Sequence, residues 1–236
     1  MDGMTFTKIE SCMLFGPFEK TKVFEIENSG LHRKAGTGIS TVEFLQLHRG
    51  KKHNLLRFVE AKSSIPRKET SRECYEGFIE EITDKFIHSF NMYAADKLRI
   101  YDEIDGEIAE ISDRELKYRF VLVINTHESE GFDVAFFNGI RNDLEKRLRE
   151  RLGGYFFKIW RFDEGERWDK KAKVVVFDER TARTQYLVSA YATVNKSEYT
   201  AEYSENCKPE EQEQLKLAVH EYIGRIRDPQ INPSTP

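Results

Sequence analysis

The chain is poor in cysteine: Cys12, Cys74 and Cys207 lie far apart with no CxxC pair. That excludes a disulfide framework and a cysteine zinc site, and leaves reduced, structural thiols. Long hydrophobic runs are missing too. No window approaches a membrane-spanning length, and the first residues lack the basic segment and apolar run of a secretory leader. The expectation is a cytoplasmic protein with no membrane partner. Prolines are few, and three of the six fall within residues 228–236, which read as a disordered tail. Positive charge is not in excess. A net charge of −4 removes whole-molecule steering toward nucleic acid, so any polyanion site must be a local patch. Several catalytic signatures are absent as well: no GxxxxGK loop, no GxGxxG after a strand, no HExxH helix and no GxSxG elbow.

What is present is alternation of two periods. Residues 22–27 alternate like a strand and close in Asn28-Ser29-Gly30, and residues 41–48 and 54–62 form two more strands joined by a turn containing Gly50. Three antiparallel strands are the economical reading. Thr70-Ser71-Arg72-Glu73 has capping-box spacing. A long helix should follow, with Phe78, Ile79, Ile82, Phe86, Phe90 and Tyr93 on its buried stripe and a Glu81–Lys85 pair on its outer face. Residues 101–113 read as an acidic loop or short helix. Tyr118 to Ile124 is a near-continuous apolar run, the pattern of a strand covered on both faces.

Ile140, Leu144, Leu148 and Leu152 mark a second helix, with Gly153-Gly154 as its expected stop. Further strands are expected over 155–162, 173–178 and 185–193, and a last helix over 209–226. The predicted class is α/β or α+β. It has a central mixed sheet with an N-terminal antiparallel meander, flanked by helices. Residues 1–227 form one domain, with a core over 22–125 and a C-terminal elaboration over 126–227.

The chemistry concentrates on the second and third strands. Glu43, Glu60 and Lys62 interrupt runs that otherwise want burial, where an unpaired charge is expensive. Period-two geometry puts Glu60 and Lys62 on one strand face, and an antiparallel neighbour brings Glu43 beside them. Two carboxylates able to share a divalent cation, with an ammonium beside them, suffice for metal-assisted hydrolysis of a phosphodiester. Acid-x-Lys also occurs at Glu115-Leu116-Lys117 and Asp169-Lys170-Lys171, but only Glu60-Ala61-Lys62 ends an apolar strand ahead of a long amphipathic helix. Basic groups at Lys51, Lys52 and along Arg141 to Arg151 offer contacts for a polyanion, with a solvated face as the plainer reading of the helical run. His88 and His127 read as packed or capping residues rather than ligands.

At these residues the chain resembles the PD-(D/E)xK, or restriction-endonuclease-like, nuclease superfamily. The resemblance implies a restriction-endonuclease-like core. It also implies a magnesium (or manganese) ion held by Glu43, Glu60 and the Ala61 backbone carbonyl, with Lys62 positioning the attacking water. It implies DNA as the partner, with Ser63, Ser64, Lys51 and Lys52 as phosphate contacts. The chain carries Glu at 43 where Asp is usual in that family. Only about twenty residues stand where the family has an acid-bearing helix, so the further acid would come from Glu25 or Glu27. The alternative is a catalytically inactive nuclease-like module that binds DNA or a protein, or pairs with a second copy through its C-terminal helix.

Overall fold

The computed structural model describes residues 5–36, 38–51, 53–63, 65–66, 71–114, 116–125, 134–159, 172–185, 187–189, 192–195, 200–203, 216, 219–220 and 224. Its centre is a five-stranded mixed sheet in the order β3-β4-β5-β6-β7. The strands are β3 (Val23–Phe24), β4 (Phe44–Arg49), β5 (Asn54–Lys62), β6 (Leu116–Ile124) and β7 (Ala172–Asp178). The first three are antiparallel neighbours, whereas β5, β6 and β7 run parallel. Parallel strands need crossovers. These are the helices α2 (Arg72–Lys97) and α4 (Val134–Ile159), each of 26 residues.

Alternation along each strand sorts side chains into two cores. Leu45, Leu47, Leu56, Phe58, Phe120 and Leu122 face α2 and α4, meeting Ile82, Phe86, Phe90, Ile140 and Leu144. Phe44, Val59, Ala61, Val121 and Val123 face the other way, onto Met13, Phe15 and Phe18 of a small second sheet and onto Ala182. The expectation that Tyr118 to Ile124 is covered on both sides therefore holds. The second sheet joins β1 (Thr5–Glu10), β2 (Met13–Glu19) and β8 (Val188–Ser189), and Ala182 belongs to the short helix α5 (Glu179–Thr184). Two further short helices, α1 (Gly30–Ala35) and α3 (Gly106–Glu110), lie in the loops, and β9 (Ala192–Asn195) pairs with β10 (Thr200–Tyr203).

Several boundaries differ from the sequence expectations. The strand predicted over 22–27 shrinks to Val23–Phe24, so Glu25 and Glu27 lie beyond it. Helix α2 is capped by Ser71, whose hydroxyl accepts from the Cys74 backbone N–H at 3.3 Å, one residue later than the capping box proposed. Helix α4 runs through Gly153 and Gly154 to Ile159, and residues 155–159, expected in a strand, are helical. A double glycine weakens a helix by about 1 kcal/mol per residue relative to alanine, and the buried stripe through Leu144, Leu148 and Leu152 offsets that cost. The last helix is described only at residues 216, 219, 220 and 224, which are helical, with Val219 buried. The proposed tail, His127, Lys52 and Ser64 lie outside the described residues.

Candidate functional site

The paired residues of β4 and β5 end at Phe44↔Val59, and the N–H of Glu43, just before β4, donates to the Val59 carbonyl at 3.0 Å. Glu60 and Lys62 lie two residues apart on one face of β5, and Glu43 is close enough to Glu60 for the two carboxyls to repel. Glu60 is fully buried and Glu43 nearly so, at 0 % and 6 % exposure. The place is the carboxyl end of the parallel strands, where open α/β sheets present their ligand crevices.

Cations already meet these carboxylates. The Lys85 ammonium, brought in by α2, donates to Glu60 Oε1 at 2.6 Å, and the Lys62 ammonium lies 3.5 Å from the same oxygen. Lys62 is turned mainly to Glu81 of α2, at 2.5 Å. Glu81 and Lys85, expected on the outer face of the helix, instead reach the sheet, where Glu81 meets Lys62 and Lys85 meets Glu60. Lys8, from β1, reaches Glu43 Oε2 at 3.3 Å and also lies 3.5 Å from Glu27, 3.6 Å from Glu25 and 3.7 Å from Glu10. Its side chain is only 3 % exposed.

The fields in this cluster follow from that geometry. Burial lifts the Glu43 carboxyl well above its ordinary range, and the neighbouring Glu10 and Glu60 add to the lift against the opposing pull of Lys8. Burial works against the Glu27 carboxylate, but the Lys8 ammonium foremost, with the neighbouring Glu43 carboxyl, outweighs it and holds that carboxyl low. Burial also raises Glu60, with Lys85 and Lys62 opposing. For Lys85, burial would depress the ammonium, but Glu60 and Glu43 more than compensate and keep it protonated. Burial likewise works against the Lys8 ammonium, and the four carboxylates around it, Glu43 foremost, outweigh it.

One atom is left over. Glu60 Oε2 is buried and has no hydrogen-bond partner among the described residues. A carboxylate oxygen in that condition costs on the order of 1–3 kcal/mol or more unless something fills its coordination. Six acids, Glu10, Glu25, Glu27, Glu43, Glu60 and Glu81, share this locality with three lysines, Lys8, Lys62 and Lys85. Negative charge is in excess, which suits a further cation. Among the described residues, no group of three or more histidine, cysteine or carboxylate side chains is arranged to hold a metal ion by itself. Two carboxylates, a main-chain carbonyl and retained waters are nevertheless a sufficient set for magnesium, which rarely uses an all-protein cage.

The main-chain carbonyl is also placed. The Ser11 hydroxyl donates to the Ala61 carbonyl at 3.1 Å, which uses one of its two lone pairs, and Asn125 Nδ2 donates to the Ser11 carbonyl at 3.1 Å. The turn between β1 and β2 is therefore latched over the carboxyl ends of β5 and β6. Ser63 follows at the strand end, exposed. Lys51 is not brought to the site: it lies in the turn that precedes β5, at the far end of that strand from Glu60, roughly 30 Å away at about 3.3 Å per residue. Two members of the basic run of α4 are engaged within the fold: Arg147 pairs with Glu76 and Glu80, and Arg151 with Glu80 and Asp84, so both clamp α4 to α2. His88 meets the Ser40 carbonyl through Nδ1 at 3.1 Å, as a packed residue does.

The sequence reading passed over Lys8, Glu10 and the role of Lys85. Lys85 had a signal, an i,i+4 step from Glu81 on the helix after an acid-x-Lys strand. Lys8 had almost none, because the hairpin that carries it turns through Ser11 and Cys12, both with positive φ (49° and 60°) and neither a residue that announces such a turn.

Comparison with family models, with curated proteins and with solved structures found no match to this chain. No described helix is long and apolar enough to cross a membrane.

Proposed function

We propose that this protein hydrolyses phosphodiester bonds with the help of a divalent metal, as a DNA endonuclease or a relative of the restriction-endonuclease-like type. The observation that carries the reading is the fully buried Glu60 Oε2, without a hydrogen-bond partner among the described residues and near the buried Glu43. Glu43, Glu60 and the second lone pair of the Ala61 carbonyl would hold the ion, magnesium or manganese. Bound there, it would polarise a phosphoryl oxygen and lower the pKa of a coordinated water.

The chain's own residues supply the rest. Lys62, exposed enough to meet solvent and tethered by Glu81, orients the attacking water and balances charge as the phosphorus becomes five-coordinate. Lys85 holds Glu60 Oε1 and so leaves the other oxygen for the ion. Lys8 neutralises the surplus acids around Glu43 and keeps them from repelling one another while the ion is away.

The second reading, a nuclease-like module without catalysis, is favoured by one feature: the ammonium of Lys8 already lies among four carboxylates. The two are separated by a magnesium- and manganese-dependent cleavage assay on plasmid, single-stranded DNA and RNA, run beside Lys62→Ala and Glu60→Gln. Metal-dependent cleavage lost in both variants supports catalysis. Equal activity in all three proteins removes the assigned roles, and no cleavage on any substrate leaves the binding module.

A further inference from the structure

Glu43 stands just outside the ladder that positions Glu60 and Lys62. Residues 39–43 form neither helix nor strand, yet Thr41, Val42 and Glu43 are buried, so their backbone groups need partners from other parts of the fold. The Glu43 N–H has one in the Val59 carbonyl. Helix α2 supplies two more. Ser89 Oγ accepts from the Val42 N–H at 2.9 Å, and His88 Nδ1 lies 3.1 Å from the Ser40 carbonyl. These two consecutive residues of α2 grip the peptide groups on either side of Thr41, immediately before the acid.

Packing alone gives no reason for Ser89. It is fully buried in the interior of a long helix, where serine fills little volume and its hydroxyl favours caps and turns. Its spacing supplies the reason. Glu81, Lys85 and Ser89 follow one another at intervals of four, on a single face of α2. Along that face Glu81 meets Lys62, Lys85 meets Glu60, and Ser89 meets the residue before Glu43. Three candidate site residues from two separate segments are thus referred to one helix. Magnesium demands near-ideal octahedral geometry, so the backbone that carries a carboxylate ligand has to be held to within about 0.5 Å.

We propose that Ser89 is a positioning residue for the metal centre. By fixing the Val42 peptide it sets where the Glu43 carboxylate can reach, and the Glu81–Lys85–Ser89 face of α2 is the template that spaces both acids and Lys62. The inference rests on the metal-assisted reading of the site given above. The test is manganese binding to the full chain, read by electron paramagnetic resonance, in wild type, Ser89→Ala and Ser89→Cys. Cysteine is close to serine in size but accepts hydrogen bonds weakly. Thr83→Val is the control, because Thr83 is equally buried on the same helix and its hydroxyl donates to the Ile79 carbonyl at 2.6 Å, within α2 itself. Glu43→Gln reports whether the manganese sits at this centre, and amide hydrogen exchange of Val42 in chelator gives a readout without metal.

Ser89→Ala should weaken manganese binding by about tenfold to a hundredfold, the usual result of removing a group that orients a metal ligand. Ser89→Cys should fall between it and wild type, and Thr83→Val should bind as wild type does. The Val42 amide should exchange faster in Ser89→Ala than in Thr83→Val. If Glu43→Gln loses the ion but Ser89→Ala binds it as wild type does, or Thr83→Val is weakened as much as Ser89→Ala, the role of Ser89 is overturned and the metal centre stands. An unchanged Val42 amide overturns it too. Manganese that binds none of the proteins, or binds Glu43→Gln as tightly as wild type, removes the metal centre and this inference with it. If both Ser89 variants fail to fold while Thr83→Val folds, the hydroxyl is structural and the inference is equally overturned.

Discussion

Replacing Lys8 by methionine separates a cation-dependent acid cluster from an ordinary packed one. The ammonium lies 3.3 Å from Glu43 Oε2, with side-chain exposures of 3 % and 7 %, and removing one partner of so buried a pair costs about 3–5 kcal/mol. Glu43 can relieve part of the loss by taking up a proton, so the lower figure is the better one near neutral pH. In a domain of this size each kcal/mol is worth about 2–4 °C, which puts the fall in Tm at roughly 6–12 °C for a loss of about 3 kcal/mol. The control is Lys34→Met, whose partner Glu103 leaves it more than half exposed and whose loss should cost about 1 kcal/mol or less.

Magnesium then distinguishes the readings. With the ammonium gone, an ion present at about a hundred times its Kd restores about 2.7 kcal/mol, nearly all that was lost. The assay is differential scanning calorimetry of wild type, Lys8→Met and Lys34→Met, in chelator and across a magnesium titration. The magnesium-induced rise should be larger in Lys8→Met than in the other two proteins. If Lys8→Met melts no lower than Lys34→Met, or if magnesium shifts all three equally, the acids do not depend on a cation and the proposed centre fails.

Three other outcomes follow from the same contacts. Glu43→Gln should stabilise the metal-free protein near pH 8. The wild-type carboxyl has a folded pKa above its unfolded value of about 4.3, so its contribution is whole below that pH and is lost as pH rises through the folded value. Urea unfolding from pH 3 to 8 should give coincident stabilities below about pH 4 and a gap that opens in favour of the variant on going up; a gap of the opposite sign would overturn the assignment of burial as the cause. Ser71→Ala should cost about 1 kcal/mol through loss of the α2 cap, with Ser71→Gly costing only a few tenths; equal losses would show that the hydroxyl does not cap the helix. Phe86→Ala should cost about 3–5 kcal/mol, since Phe86 is fully buried and its ring lies 5.4 Å from that of Phe120, and a chemical-denaturation change below about 1 kcal/mol would mean the α2–sheet core is misplaced.

How much of this was legible follows from what each element is made of. Strands β4, β5 and β6 and helix α2 declare themselves because their periods are driven by burial: Leu45 and Leu47 alternate with Phe44 and Gln46, and Ile82, Phe86 and Phe90 recur every four residues. The pairing of Phe44 with Val59 and of Leu45 with Phe58 is legible for the same reason, since register is fixed once one face must bury Phe58 and the other Val59. Helix α4 overran its predicted stop because glycine propensity is a local cost and the stripe it extends is a tertiary gain.

The hairpin of β1 and β2 was not legible at all. Its turn uses Ser11 and Cys12 where asparagine or glycine would signal one, and its inward residues, Phe15 and Phe18, are sorted by a core built largely from the distant strands that carry Phe44, Val59 and Val121. That omission matters to the chemistry. The sequence shows two acids with an expensive burial and one lysine, Lys62, to offset it, and from that deficit a metal is the natural inference. The fold adds Lys85 to Glu60 and Lys8 to Glu43, but it also adds Glu10, Glu25, Glu27 and Glu81, so the deficit is carried over to a larger cluster rather than cancelled. The two supplied lysines are unequal in what they leave behind. Lys8 meets its carboxylates at 3.3 to 3.7 Å, longer than a good ammonium–carboxylate bond, whereas Lys85 binds Glu60 Oε1 at 2.6 Å and Oε2 has no hydrogen-bond partner among the described residues. A purely structural cluster would have closed on both oxygens of its most buried acid, and the one it leaves open is the oxygen through which a hard cation would join Glu60 to Glu43.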